Sequence, residues 1–350
     1  MNTHTQLLKA LMQCFFFAVS ALLISGSAWA GPVENALAAY ERKDYAEVLK
    51  ILKPLAIKGE AWAQSWLADA YKDGQGVVQD YAEAAKWYKL AAQQDYAWAQ
   101  YHLGIMYDNG QGVVQDYVEA AKWYKLAAQQ GDASAQYNLA VMYTTGQGVV
   151  QDYAEAAKWY KLAALQGHAS AQYNVGVMYV DGQGVVQDYV EAAKWYKLAA
   201  QQGDASAQYN LGIMYVNGQG VVQDYAEAAK WYRLAAQQGH ASAQYNVGVM
   251  YDNGQGVVQD YVEAVKWYRL AAQQGNASAQ NNLGGMYGKG QGVVQNYVKA
   301  HSWYNLSAAS GNSTAAENRD IVAKRMTPQQ IAVAQKLARD CQARQLKGCD

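Results

Sequence analysis

ASAQYNVGVMYDNGQGVVQDYVEAVKWYRLAAQQGN, residues 241–276, decides the fold. Its first third, A-S-A-Q-Y-N-V-G-V-M-Y, carries Ala, Val, Met and Tyr at three- and four-residue spacing. That spacing predicts a helix with one apolar stripe. Gly254 stops it, because a left-handed terminal residue suits glycine. The connector G-Q-G-V-V-Q follows. Its two valines are expected to tuck into the gap between helices, since an isolated pair makes no sheet. A second helix then opens at Asp260-Tyr261-Val262-Glu263 and runs through the W-Y-R-L-A-A segment to Gly275. Asp260 and Glu263 have the spacing of a capping box, and their charges suit the positive end of the helix dipole.

The same unit recurs without insertion, starting at Ala61, Ala97, Ala133, Ala169, Ala205, Ala241 and Ala277. A fixed period of this size marks a solenoid, in which no unit can bury its stripe alone and neighbours must stack. The Asp/Glu pair recurs as Asp80/Glu83, Asp116/Glu119, Asp152/Glu155, Asp188/Glu191 and Asp224/Glu227. The seventh unit has Asn296 and Lys299 there instead, which predicts a weaker helix start. Residues 133–204 and 205–276 differ at eleven of seventy-two positions. A two-unit block has therefore been duplicated, and identity between copies records copying rather than function. Relatives are expected to vary in repeat number.

The motifs A-x-A-Q-x-x-L-G-x-M-Y, G-x-G-V-x-x-D and Y-x-E-A-x-K-W-Y-x-x-A-A resemble the Sel1-like repeat family, a relative of the tetratricopeptide repeat. The resemblance covers roughly residues 61–312. It implies an all-α fold: an α/α solenoid, wound as a right-handed superhelix of antiparallel helix pairs with a concave inner face. It also implies a scaffold or adaptor role.

The ends differ from the middle. Residues 31–60 read as a shortened capping helix pair with Tyr40, Tyr45 and Leu49 and no glycine connector. Residues 313–350 read as C-terminal capping helices. Ser313 begins a degenerate first helix. Thr327-Pro328-Gln329-Gln330 then marks a new start, with Ile331, Ala334, Ala338 and Cys341 on one face.

Residues 1–30 read as a cleaved signal peptide. Lys9 is their only charged residue, Leu11–Ile24 is apolar, and Ser25–Ala30 has a small-x-small site, predicting cleavage after Ala30. The alternative is a membrane anchor, for which the apolar stretch is short. Cys14 lacks the small residues expected before a lipidated cysteine. The expected location is periplasmic or secreted, with no transmembrane segment after cleavage. In that compartment Cys341 and Cys349, eight apart, predict a disulfide tying the tail to the last helix. Two free thiols are the alternative.

Charged residues are 16% of the chain and the net charge is −1. With no clustered Lys/Arg, nothing supports nucleic-acid binding. Tyrosines number 29 and tryptophans 11, against three phenylalanines that all fall before residue 18. His102, His168, His240 and His301 are scattered, no metal or phosphate motif occurs, and no cofactor is expected. Capping explains the Asp/Glu pairs better than acid/base catalysis. The Lys-Trp-Tyr runs are expected to pack Trp and Tyr between units with Lys in solvent. The resemblance carries an enzymatic alternative, because a cysteine-rich branch of the family is associated with β-lactam binding and hydrolysis. This sequence lacks that branch's cysteine pair in each repeat, and it has no S-x-x-K, S-D-N or K-T-G. The chain is therefore expected not to be an enzyme.

The expected function is binding of a protein or peptide partner through the concave face. In related solenoids the first helix of each pair lines that face. Position six of the unit gives Asn138, Asn174, Asn210, Asn246 and Asn282. Position five gives Tyr101, Tyr137, Tyr173, Tyr209 and Tyr245. Stacked helices lie about 8–10 Å apart, and three extended residues span about 10 Å. An asparagine ladder could thus grip a peptide backbone, each amide donating and accepting, with tyrosines beside it. The same amides could instead bond within the stack. The first two units differ: Trp62, Trp66 and Trp98 replace Ser or Asn, His102 replaces Asn, and Asp69 replaces an apolar residue. They suit partner-specific contacts or packing on the N-terminal cap. An aromatic groove on an exported protein also suits peptidoglycan or another glycan.

Overall fold

The structure is a computed structural model, and it describes residues 30–346 and 348–349. The expected leader therefore lies, up to residue 29, outside the described residues. Those residues form eighteen helices and no strand. None is long and apolar enough to cross a membrane. The fold is an all-α solenoid.

The described residues divide into two compact units. One comprises the residues up to Ala135 with Gln147–Val149, and the other Gln136–Gly146 with the residues from Val150 onward. The first holds α1 (Ala30–Glu41), α2 (Tyr45–Ile57), α3 (Ala61–Asp73), α4 (Tyr81–Ala92), α5 (Ala97–Asn109) and α6 (Tyr117–Gln129). The α1–α2 pair precedes the first full repeat, with Leu49 buried and the Tyr40 and Tyr45 rings 5.8 Å apart. Trp62 and Trp66 pack partly against its core.

The second unit takes most of α7 (Ala133–Thr145). It continues with α8 (Tyr153–Leu165), α9 (Ala169–Asp181), α10 (Tyr189–Gln201), α11 (Ala205–Asn217) and α12 (Tyr225–Gln237). Then come α13 (Ala241–Asn253), α14 (Tyr261–Gln273), α15 (Ala277–Lys289), α16 (Tyr297–Ala309), α17 (Ser313–Ala323) and α18 (Pro328–Ala343). From α9 onward each helix packs on the next in chain order as far as α17, and α18 folds back on α16. In α18, Thr327 and Gln330 form the reciprocal capping box, and Ala334, Ala338 and Cys341 are buried. Cys341 and Cys349 are bonded, and Cys349 and Leu346 pack against the last core cluster.

Two glycines per connector make the repeat geometry possible. Gly182 ends α9 in the left-handed region at φ 68°. Two residues on, Gly184 is also left-handed, and a Cβ there would stand 2.0 Å from the Tyr153 carbonyl oxygen, which opens the preceding unit's second helix. Backbone meets backbone at each such junction from Gly112 to Gly292, so no side chain fits there.

Two local expectations need correction. Only the first connector valine packs: Val185, Val221 and Val257 lie against core clusters. The second points to water, with Val186, Val222 and Val258 each 88% exposed. The turn is too tight to turn both inward. The Asp/Glu pairs also make only half a capping box. Asp188 accepts from the Val190 and Glu191 amides at 2.9 and 3.1 Å. Its own N–H already donates to the Tyr179 carbonyl at 3.0 Å. Glu191, with no capping donor left, pairs with Lys194. Asn296 in the seventh unit accepts one such bond, from Lys299.

Candidate functional site

Each of the first six repeats is closed from within by a glutamine pair. In the repeat beginning at Ala169, buried Gln172 donates to the Ala164 carbonyl at 3.0 Å. That carbonyl lies in the last turn of the previous second helix, where it also accepts from the Gly167 amide at 3.0 Å. The Gln172 side-chain oxygen accepts from Gln202 at 2.7 Å. The pattern repeats at Gln208 and Gln244, and in the first unit at Gln64 and Gln100. One side chain thus links three helices. The sequence reading missed it, because glutamine on an amphipathic helix looks like a solvent residue. The available signal was the constant thirty-residue separation between two glutamines.

With that scaffold fixed, the first helices present a half-buried row. Asn138, Asn174, Asn210 and Asn246 are half-buried, as are Tyr137, Tyr173, Tyr209 and Tyr245. Each of these tyrosines stands beside a tyrosine of its unit's second helix. Ring centroids are 5.7 Å apart for Tyr137–Tyr160, 5.8 Å for Tyr173–Tyr196, 5.8 Å for Tyr209–Tyr232 and 6.0 Å for Tyr245–Tyr268. The asparagine of the following repeat meets the pair. Asn174 faces Tyr160, Asn210 faces Tyr173 and Tyr196, and Asn246 faces Tyr232. Asn282 donates to the Tyr268 hydroxyl at 3.1 Å, and that hydroxyl donates on to Asp252 at 3.1 Å. Burial raises the Tyr196, Tyr232 and Tyr268 phenols, which stay protonated. The tyrosines therefore orient the amides, and an amide with four hydrogen-bonding positions keeps others open.

Close approach of these tyrosines needs small neighbours. A Cβ on Gly212 would lie 2.6 Å from the Tyr232 ring, and one on Gly176 the same distance from Tyr196. Tyr137 and Tyr209 are further covered by His168 and His240, stacked at 4.7 and 4.6 Å. Both histidines cap helices, each accepting through Nδ1 from the amide three residues on at 3.2 Å. Burial pulls their pKa down.

In the first unit the exceptional residues cluster. Asp69 accepts from Tyr88, from Trp98 Nε1 at 3.3 Å and from Lys72 at 2.9 Å. His102 stacks on Tyr88 at 5.3 Å and meets Trp98 edge-on at 4.4 Å. Its Nε2 is excluded from water without a hydrogen-bond partner, and burial lowers its pKa to about 4. Trp62 meets Trp66 edge-on at 5.9 Å. Trp62 and Trp98 remain half-buried. Among the described residues, no group of three or more His, Cys, Asp or Glu could hold a metal ion.

The repeated helix pair with a half-exposed polar and aromatic face defines a helical-repeat solenoid. Within that class the chain belongs to the Sel1 repeat family, whose model matches residues 63–96, 99–132, 133–168, 169–204, 205–240, 241–276 and 277–312. Two solved structures are similar over most of their length. A Sel1 repeat protein from Oxalobacter formigenes is 34% identical with a TM-score of 0.59, over 70% of this chain and 96% of that one. A protective antigen of uropathogenic Escherichia coli strains, with an SLR fold, is 28% identical with a TM-score of 0.57, over 95% of both chains. No curated protein matches the chain in sequence. Sel1 repeat proteins are generally scaffolds for protein–protein interaction, and the fold is typically non-enzymatic.

Proposed function

We propose that this protein is an exported scaffold that holds an extended segment of a partner protein along the first helices of its repeats. Asn138, Asn174, Asn210 and Asn246 engage the partner's backbone. Tyr137, Tyr173, Tyr209 and Tyr245 supply rigid apolar contact, and Trp62 and Trp98 add contacts specific to the N-terminal repeats. The observation that carries the reading is the series of half-buried asparagines set against tyrosine pairs. An amide whose orientation is preset loses less entropy on binding.

Export is supported by the leader pattern over residues 1–30 and by the Cys341–Cys349 bond, which suits an oxidising compartment. The similar Escherichia coli protein is described as a protective antigen, in keeping with a place outside the cytoplasm. The partner then belongs to the cell envelope or to a host.

A crosslinking pull-down from native envelope extract tests the reading. The bait is residues 31–350, compared with the triple variant Asn174→Ala, Asn210→Ala, Asn246→Ala. A protein captured by the natural chain and lost by a variant with unchanged helicity and melting supports the scaffold. Equal capture by both removes the asparagines from the site. An unfolded variant assigns them to the stack alone.

A further inference from the structure

The residues that cap the first helices are of different kinds at successive junctions. Asp132 and Asp204 cap α7 and α11 through a carboxylate oxygen, accepting from the Ala135 and Ala207 amides at 2.7 and 2.8 Å. Asn276 caps α15 in the same way, from the Ala279 amide at 2.9 Å. Between them His168 and His240 cap α9 and α13 through Nδ1, accepting from the Ala171 and Ala243 amides at 3.2 Å. A ring nitrogen that accepts carries no proton, so each neutral ring has its proton on Nε2. The same rings lie nearly flat on the half-buried row, 17° from the Tyr137 plane and 26° from the Tyr209 plane. One bond thus holds a first turn closed and an imidazole over a tyrosine.

α7 and α11, which bear the two tyrosines, contain no charged residue. On α8 and α12, Lys158 and Lys230 pair with Glu155 and Glu227. Lys161 lies over Tyr179 and Arg233 donates to Tyr251, near the ends of α9 and α13 opposite the caps. Asp181 and Asp252 share those opposite ends. On α10 and α14, Lys194 and Lys266 pair with Glu191 and Glu263, and Arg269 donates to Tyr287. Lys197 on α10 is exposed, and the neighbouring carboxylate Asp204 acts on Tyr173. Burial is the main cause that lowers the pKa of both histidines, and each residue's own backbone opposes it. Above 6.5, the value of the free side chain, closed and open caps are both neutral and the cap is fully held. As pH falls below 6.5 the open cap takes up the proton first, so closure weakens.

Protonation removes the acceptor outright. With both nitrogens carrying protons, no rotation of the ring can accept from the first turn, and the new charge stands at the positive end of a helix dipole. We infer that His168 and His240 are an acid-sensitive switch set in alternate repeats, which opens the caps of α9 and α13 and takes the rings off Tyr137 and Tyr209. The Asp204 and Asn276 caps do not open, since a carboxyl group keeps an accepting oxygen when protonated and an amide does not titrate in this range. The switch stands without the scaffold reading. Its consequence rests on that reading: a partner held against Tyr137 and Tyr209 is released in mild acid.

Residues 167–175 and 239–247 share one sequence, and residues 275–283 are their asparagine-capped counterpart. Hydrogen exchange of these peptides, read by mass spectrometry at about pH 7.5 and about pH 5.5 and corrected for intrinsic rates, tests the switch. The expected result in acid is a loss of protection of about five- to tenfold in the histidine-capped peptides and none in the asparagine-capped one. The variant His168→Asn with His240→Asn, which copies the Asn276 cap, should lose this response and keep its melting. Nitrogen NMR of the histidine rings in the natural chain should show Nδ1 unprotonated for both residues at the higher pH. A proton on Nδ1, equal protection at the two pH values, or a response that survives in the variant overturns the switch. Capture in the envelope pull-down should fall in acid for the natural chain and not for the variant. Capture that ignores pH while the caps open overturns the link to the partner. No capture at either pH removes the scaffold reading and leaves the switch.

Discussion

The Gln202 side chain donates to Gln172 across thirty residues at 2.7 Å, and the corresponding rung is missing only where the array ends. Gln280 is buried with its side-chain oxygen unpartnered, because Ser310 stands where its glutamine would be. An unmet buried acceptor costs about 1–3 kcal/mol. Ser310→Gln should restore the rung and raise the stability of the C-terminal repeats by about 1 kcal/mol. Gln208→Ala should lower that of the surrounding repeats by about 1–2 kcal/mol, since it removes two hydrogen bonds, one to the Ala200 carbonyl and one from Gln238. Urea unfolding followed by circular dichroism measures both.

Two glycines of one repeat should respond differently to alanine. A Cβ on Gly212 meets the Tyr232 ring, a side chain that can shift. The sibling repeat already carries Ala140 at this position, with Tyr160 still buried. Gly212→Ala should cost about 1 kcal/mol or less. Gly220 is left-handed, and its Cβ would meet the Tyr189 carbonyl oxygen at 2.0 Å. Gly220→Ala should cost about 3 kcal/mol or more. Comparable losses would contradict the backbone junction described above.

Acid should loosen the N-terminal repeats first. His102 is neutral in the folded chain, with a pKa of about 4 against 6.5 for the free side chain. Desolvation is the main cause. Asp69 opposes it and Lys72 adds to it. Above pH 6.5 folded and unfolded states are both neutral here and stability is complete. Between 6.5 and about 4 only the unfolded state takes up the proton, so stability falls as pH falls, by about 2–4 kcal/mol in all. His102→Asn, the residue of the sibling repeats, should flatten this dependence. Hydrogen exchange over α3–α5 at several pH values measures it.

The helix pairs, their glycine stops and the repeat boundaries were legible in the sequence because they depend on local rules repeated seven times. So was the α18 start at Thr327, whose cap and proline are local signals. The fate of the second connector valine was not, since it depends on how tightly the turn between two left-handed glycines closes. Glu191 was misread for a similar reason: Tyr179, in another helix, takes the cap's N–H. Asn174, Asn210 and Asn246 lie half-buried on the first helices. Their tyrosine partners Tyr160, Tyr196 and Tyr232 came from the second helix, where spacing showed only a packed aromatic.

The most direct test of the central claim asks which face meets a partner. A photo-crosslinking amino acid placed at Ser206, half-buried on α11, should yield a discrete adduct in native envelope extract. The same group at Leu234, on α12 and 43% exposed, should yield none. An adduct from Leu234 and none from Ser206 would contradict the account and move the binding surface to the second helices.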